Sequence, residues 1–594
     1  MSERRKAVIF ALAPIDGLAR DFKLTGLNMS ESIVVPLEAG LDALHHISEV
    51  HLFNASIDIT RNRFDDIANQ VDRDWQRWLG NRADDKMRGY FSYIFYTTRT
   101  PIVHWRMSIA LALELFNPTE VYLYGDGGAK TDEISSRDEF LRWARQAIVH
   151  EAAPHVVRVS ASCPRKVGLL SRVERIRPDR SLDFLWALNT KVRKVIRGLG
   201  ARYLRRFTSG KSASFTEPPR VVVLGQERKI TVLLAYLNSR NIPFSTVSVA
   251  GLVKSTTNGR KKPVSVITDC SPKEVVDEVF YRLMDSSVGE LKADRAALIE
   301  FASRPWQILM TDHEFDPHAR FLADEAVARG KTVVLTPEGM QTLANPSVRP
   351  YFYNWFFDAP GLTRFAVNEQ EADYYTRTFS ADRIIVSGYL AATELPRHAT
   401  FPVLSLLVEK LLRSHRGPRK MALVNVDHAG PLGLGRAGQQ DMHSEILSIE
   451  RLIFTLTQLG WAICVTSKAT DSFEYLRSRF AGLPVWCFSR VNWQVLAQAC
   501  DIVVQRDSSL GPEALKLGIP VLVWNECRLP LASAGSIELI RGTMTKVEAA
   551  EDLEDALDRA LLHKQVAKEP KCCTEDPSFH VLDRWFDALP EWRS

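Results

Sequence analysis

The sequence predicts an α/β protein: two doubly wound, Rossmann-like lobes preceded by an additional N-terminal α/β domain. Three observations carry this expectation. Short apolar runs rich in Val, Ile and Leu alternate with amphipathic helical stretches along most of the chain, as expected for strands buried on both faces of a parallel sheet. Several of these runs lead into glycine-rich or polar loops, where such sheets place ligands. The chain has 594 residues, too many for one hydrophobic core, so several domains are expected.

Bulk composition excludes whole classes. Hydrophobic residues make up 45% and charged residues 25%, as in ordinary globular proteins, and disorder is not expected. Apolar runs such as Ile109 to Phe116 fall short of the roughly 18 to 20 residues that cross a bilayer. At the start, Ala7 to Ala13 is apolar after a basic stretch but meets Pro14 and Asp16 at once, so it reads as a first strand rather than a leader. The eight cysteines form no CxxC pair, and Cys572-Cys573 lies beside a lysine, so reduced thiols and a cytoplasmic setting are expected.

Residues 1 to about 160 supply strand-like pieces at Ala7 to Leu12, Glu49 to Phe53, Glu120 to Tyr124 and Val156 to Val159, with a helical stretch at Asp65 to Trp78. The glycine-rich loop at 125 to 128 lacks the spacing of a dinucleotide fingerprint and reads as a turn. Tyr90 to Tyr96, Trp105 and Trp143 are core formers.

Residues 161 to 216 are a basic segment and linker. Arg165 to Lys211 holds 14 Lys and Arg against Glu174, Asp179 and Asp183, a balance of +11 that leaves the rest of the chain at −6. Leu182 to Arg206 has helical periodicity, with basic residues beside an apolar stripe. That pattern suits an anionic membrane surface, or a linker helix with a solvated basic face. Nucleic acid is not expected, because aromatic interleaving is sparse.

A new α/β lobe spans 217–395. It opens with a strand at Arg220 to Leu224, a turn at Gly225, a helix at Lys229 to Arg240 and a strand at Phe244 to Val249. Strands follow at Gln307 to Met310 and Thr332 to Leu335, with a helix between them, then strand, helix and strand from Thr363 to Val386. The last lobe spans 396–594. Strands at Lys420 to Val426, Trp461 to Thr466, Pro484 to Cys487, Ile502 to Val504 and Ile519 to Trp524 alternate with helices, and a closing helix covers Glu548 to Leu562.

One stretch of this lobe, Asp501 to Glu526, reads strand, polar loop, short helix, strand. Its Ser508-Ser509, Glu513-Ala514-Leu515 and Gly518-Ile519-Pro520-Val521 resemble the nucleotide-sugar signature of GT-B glycosyltransferases. Val367-Asn368 with its acidic helix, and Val386-Ser387-Gly388, are similar to the closing part of the first GT-B lobe. Where many relatives carry His-Gly, this chain has Glu338-Gly339, which puts a histidine mechanism at that position in doubt. The resemblance covers about residues 217 to 545 and implies two facing lobes, with the donor nucleotide on the second and the acceptor on the first.

The resemblance implies that Glu513 holds the donor ribose and that Ser508 and Ser509 lie near its phosphates, with Asp507 and Gly511 in the same turn. On the residues alone, Ser508 or Ser509 is equally a helix N-cap. Gly433 and Gly435 admit a diphosphate to the backbone, since glycine allows close approach. Thr466, Ser467 and Lys468 stand at the next strand end, and Arg506 is a second candidate cation. For proton transfer from an acceptor hydroxyl, Asp312 is the first candidate and Glu338 the second, with His313 and His428 nearby. The DHEFDPH stretch at 312 to 318 matches no metal spacing, so no metal and no cofactor beyond the nucleotide-sugar substrate are expected.

These readings converge on a glycosyltransferase that moves a sugar from a nucleotide-sugar donor to a surface polysaccharide or glycolipid, at the inner face of a membrane. A nucleotide-sugar 2-epimerase shares the fold, but its Thr-x-His-Arg-x-Glu-Asn pattern is missing at Asn425 to Gly430. A polyol-phosphate transferase and a non-catalytic GT-B-like assembly protein are the remaining alternatives.

Overall fold

The computed structural model describes residues 7–12, 22, 27–37, 51–53, 63–80, 86–125, 133–134, 136–160, 182–184, 219–225, 231–253, 264–265, 275–312, 316–336, 362–366, 369–376, 380–388, 408–410, 412–414, 419–426, 442–466, 476–477, 479–480, 482–489, 491–505, 510–516, 518–526, 544–566 and 577–589. These residues build three parallel sheets and their helices, plus one short two-stranded pair.

The first sheet contains β1 (Ala7–Ala11), β2 (Ser32–Pro36), β3 (His51–Leu52), β4 (Glu120–Tyr124) and, beyond a short β5 (Glu133–Ile134), β6 (Val157–Val159). Its order is β3-β2-β1-β4-β6. Every residue of β1 is buried, as expected for the central strand of a parallel sheet. The helices are α1 (Phe64–Gly80), α2 (Lys86–Gly89), α3 (Ser92–Phe116) and α4 (Arg137–Ala152). The aromatic residues Tyr90, Phe91, Phe95, Tyr96, Trp105 and Trp143 are buried, as their clustering in sequence suggests.

Helix α3 runs through Pro101, a residue that normally stops a helix because it has no N–H for the carbonyl four residues back. That carbonyl belongs to Thr97, and here the Arg137 guanidinium donates to it at 2.9 Å. A side chain from α4 thus replaces the lost backbone bond.

The second sheet contains β7 (Val221–Leu224), β8 (Phe244–Val247), β10 (Ile308–Thr311), β11 (Thr332–Leu335), β12 (Leu362–Ala366) and β13 (Ile384–Val386). A two-residue strand, β9 (Val264–Ser265), instead pairs antiparallel with β5. Its helices are α5 (Thr231–Ser239), α6 (Val249–Leu252), α7 (Val275–Ala302), α8 (Pro317–Ala328) and α9 (Glu369–Tyr375). The order β13-β12-β11-β10-β7-β8 changes direction between β7 and β10.

The third sheet contains β14 (Met421–Asn425), β15 (Ala462–Thr466), β16 (Val485–Phe488), β17 (Ile502–Gln505), β18 (Val521–Trp524) and β19 (Thr545–Val547). With α10 (Met442–Gln458), α11 (Trp493–Ala499), α12 (Leu510–Lys516) and α13 (Leu553–Val566) it forms the last lobe. Its order, β16-β15-β14-β17-β18-β19, is the 3-2-1-4-5-6 arrangement of nucleotide-binding sheets. The two doubly wound lobes expected from the sequence are present.

The cores do not follow the sequence boundaries strictly. One hydrophobic cluster runs from the first sheet into the second, joining Phe95 and Phe140 to Phe280 of α7. Around it Arg99 bonds Asp74 at 2.8 Å and also reaches Asp277, while Arg106 bonds Asp277 at 2.9 Å and Glu151 at 3.2 Å. Helix α14 (Pro577–Ala588), at the end of the chain, buries Leu582, Trp585 and Phe586 against Val221, Val223 and Tyr236 of the second sheet's lobe. In the other direction, Leu182 is buried in the core of the last lobe. The remainder of the expected 182–206 helix lies outside the described residues.

Candidate functional site

In a parallel sheet every strand delivers its carboxyl end to the same edge, and a crevice opens where the strand order reverses. In the last lobe that point lies between β14 and β17. The apolar runs of this lobe stop on polar residues: Asn425 closes β14, Thr466 closes β15, Gln505 closes β17, and Asn525 follows β18. Pairing sets Asn425 opposite Thr466 and Val424 opposite Val504, so Gln505 comes next to Asn425. Three adjacent strands therefore end in one polar row. Its members are buried, Asn425 at 9% exposure and Gln505 at 2%.

Burying an amide is costly unless its hydrogen bonds are made. The Asn425 Nδ2 is buried and meets no acceptor among the described residues. A donor held at the crevice of a nucleotide-type sheet is ready for an oxygen of a ligand.

The neighbouring backbone is tightly set. A Cβ on Gly511 would come within 2.3 Å of the Gln505 Nε2, so with glycine the first turn of α12 lies on that side chain as it stands, and a larger residue would make the amide shift. Trp524 Nε1 donates to the Ser448 hydroxyl at 2.7 Å, which ties α10 to β18. Just beyond, Glu526 pairs with Arg451 at 2.8 Å, and its Oε2 is buried without a partner among the described residues.

In the preceding lobe the direction change between β7 and β10 is marked by Gly225 and Asp312. Asp312 follows β10 and is 1% exposed. A Cβ on Gly225 would stand 2.2 Å from its Oδ1, so the carboxylate lies directly against the glycine backbone. Thr336 N donates to the Thr311 carbonyl at 2.8 Å, extending the ladder past the end of β11. The Asp312 carboxylate thus lies buried at the carboxyl edge of this sheet.

The acid and histidine cluster read around Asp312 divides in the structure. Asp316 is the N-cap of α8, accepting from His318 N at 2.9 Å and Ala319 N at 3.0 Å, with Pro317 in the first turn. His318 turns to Asp294 on α7, with 3.2 Å between Nε2 and Oδ2. Both are accounted for by helix capping and helix pairing.

Of the residues singled out in the sequence, Asp312, Thr466 and Gly511 fall at the two carboxyl edges, and Glu513 lies within α12. His313, Glu338, His428, Gly433, Gly435, Ser467, Lys468, Arg506, Asp507, Ser508 and Ser509 lie outside the described residues, as does the Glu513 side chain. The sequence reading missed Asn425, Gln505, Asn525 and Gly225. The available signal was a polar or glycine residue ending a run of β-branched residues. Among the described residues no group of His, Cys, Asp and Glu is placed to hold a metal ion.

No family model and no curated protein matches the chain. Among solved structures, a UDP co-structure of MnaA from S. aureus is 12% identical, with a TM-score of 0.38 over 58% of this chain and 90% of that one. The UDP-GlcNAc 2-epimerase of Methanocaldococcus jannaschii is 12% identical, with a TM-score of 0.39 over 60% and 95%. A glycotransferase of kitacinnamycin is 13% identical, with a TM-score of 0.38 over 63% and 100%. At such values the reaction has to be read from the site itself.

Proposed function

We propose that the protein is a glycosyltransferase that binds a nucleotide-sugar donor at the carboxyl edge of β14, β15 and β17 and transfers the sugar to a glycan or glycolipid. The observation that supports this most is the buried polar row centred on Asn425, whose amide meets no acceptor among the described residues at the direction change of a 3-2-1-4-5-6 sheet. The nucleotide-sugar signature from Ser508 to Val521 belongs to the same crossover, β17 to β18. In this reading Glu513 accepts hydrogen bonds from the ribose, and Asp312 takes the proton from the acceptor hydroxyl as the diphosphate leaves.

A panel of UDP, GDP, CDP and CMP read by thermal shift tests the reading. One of the four raises the melting temperature, and Glu513→Ala removes most of that rise. No response to any of them contradicts a nucleotide-sugar enzyme.

The acceptor is proposed to be presented at an anionic membrane, with residues 165–211 as the contact. Their +11 balance supports this, and Phe184 is 67% exposed. No helix among the described residues is long and apolar enough to cross a membrane, and the contact proposed is peripheral. Changing Arg193, Lys194 and Arg197 together to Glu abolishes sedimentation with phosphatidylserine vesicles in this reading. Undiminished sedimentation contradicts it.

A further inference from the structure

A short piece of chain from before the second sheet is built into the last lobe. Leu182 is 1% exposed and packs with Val408, Met421 and Val491 in that lobe's core. The adjoining Asp183 is nearly as buried, at 7%. Its carboxylate accepts three hydrogen bonds from one turn: Ser489 N at 2.9 Å, Ser489 Oγ at 2.8 Å and Val491 N at 3.2 Å. Bonds to a buried carboxylate are stronger than neutral ones and leave little freedom to the donors.

The turn so held joins β16 to α11, at the same carboxyl edge as Asn425 and Thr466. Phe488, the last residue of β16, pairs directly with Thr466. The turn continues into Asn492, which caps α11 by accepting from Gln494 N at 2.8 Å, and into the half-buried Trp493. Within that lobe's own sequence, nothing described bonds Ser489 as Asp183 does; the carboxylate comes from more than 300 residues earlier in the chain.

We infer that Asp183 is a positioning residue of the nucleotide edge: it fixes the β16–α11 turn so that the turn forms one wall of the crevice opened by β14, β15 and β17. The inference rests on the proposed nucleotide site. It gives the segment between the first two sheets a role in the last lobe. As a positioning residue Asp183 acts through the turn it holds, so its loss is expected to act on binding and to leave the chemical step alone.

The test compares the full-length protein with Asp183→Asn and Ser489→Ala. The first sets an amide N–H against the turn's donors, and the second removes a single donor and preserves the fold. Hydrogen exchange is followed at 489–491 without ligand, and affinity and turnover are measured with the nucleotide sugar of the responding nucleotide. Faster exchange in the turn with Asp183→Asn, and a KM raised about tenfold in both variants with kcat within about twofold, supports the inference. Unchanged exchange and unchanged KM while the wild type still binds nucleotide overturns it and leaves the site reading standing. A wild type that binds no nucleotide overturns both, and exchange at 489–491 then reports the turn alone.

Discussion

Two glycines carry more of this site than their size suggests. Gly225 and Gly511 each lie where a methyl group would enter a buried polar side chain, the Asp312 carboxylate in one case and the Gln505 amide in the other. Both polar groups are almost fully buried, so a methyl is admitted only if the end of that side chain shifts. Gly225→Ala should therefore cost about 1–3 kcal/mol, the usual range for forcing a methyl into a packed site. Thermal unfolding of Gly225→Ala beside the double variant Gly225→Ala/Asp312→Ala checks this: the second substitution should restore part of the lost melting temperature. Equal destabilisation in both would mean that the carboxylate is not what the methyl meets. At this scale the sequence was partly legible. Asp312 and Thr466 stand out as polar residues at predicted strand ends. Asn425, Gln505 and Asn525 did not, because a single amide closing an apolar run looks like an ordinary strand terminus until neighbouring strands align the amides.

Among the elements, the joint between the first two sheets has the most specific chemistry. Arg99 of α3 is 2% exposed and joins Asp74 of α1 to Asp277 of α7. Removing one partner from such a network leaves a buried charge uncompensated, so Arg99→Ala should cost about 3–5 kcal/mol. Burial pushes the Asp277 carboxyl up, but the Arg99 and then the Arg106 guanidinium outweigh it and hold it below its ordinary 3.8. The folded form therefore releases this proton more readily than the unfolded chain. Its stabilisation is complete above about pH 4 and is lost as pH falls through the folded value. Melting temperatures measured between pH 7 and pH 3 should fall less steeply for Asp277→Asn than for the wild type, from a lower starting value. Parallel curves would remove Asp277 from the account. Sequence patterns anticipated the three sets of alternating strands and helices but not this joint, since the pairing of Arg99 with Asp277 depends on tertiary packing. Helix α3 was not read there either; it runs through Pro101, which Arg137 makes tolerable.

For the whole molecule, chain order and core membership differ. Leu182 and Asp183 belong to the last lobe's core, while α14 from the chain's end belongs to the middle one, held there by Asp583 on Arg240 at 2.6 Å and on Tyr236 at 2.9 Å. Hydrophobic periodicity locates a helix but does not say which sheet it covers, so neither docking was legible. Both dockings join segments distant in sequence, and the lobes are structurally interdependent. The central claim is that a nucleotide occupies the direction change of the third sheet. A crystal structure of the full chain grown with the nucleotide that most raises its melting temperature tests this most directly. The account predicts ligand density between the ends of β14 and β17, with a ligand oxygen within hydrogen-bond distance of Asn425 Nδ2; density at another sheet, or at this edge with Asn425 facing away, would contradict it.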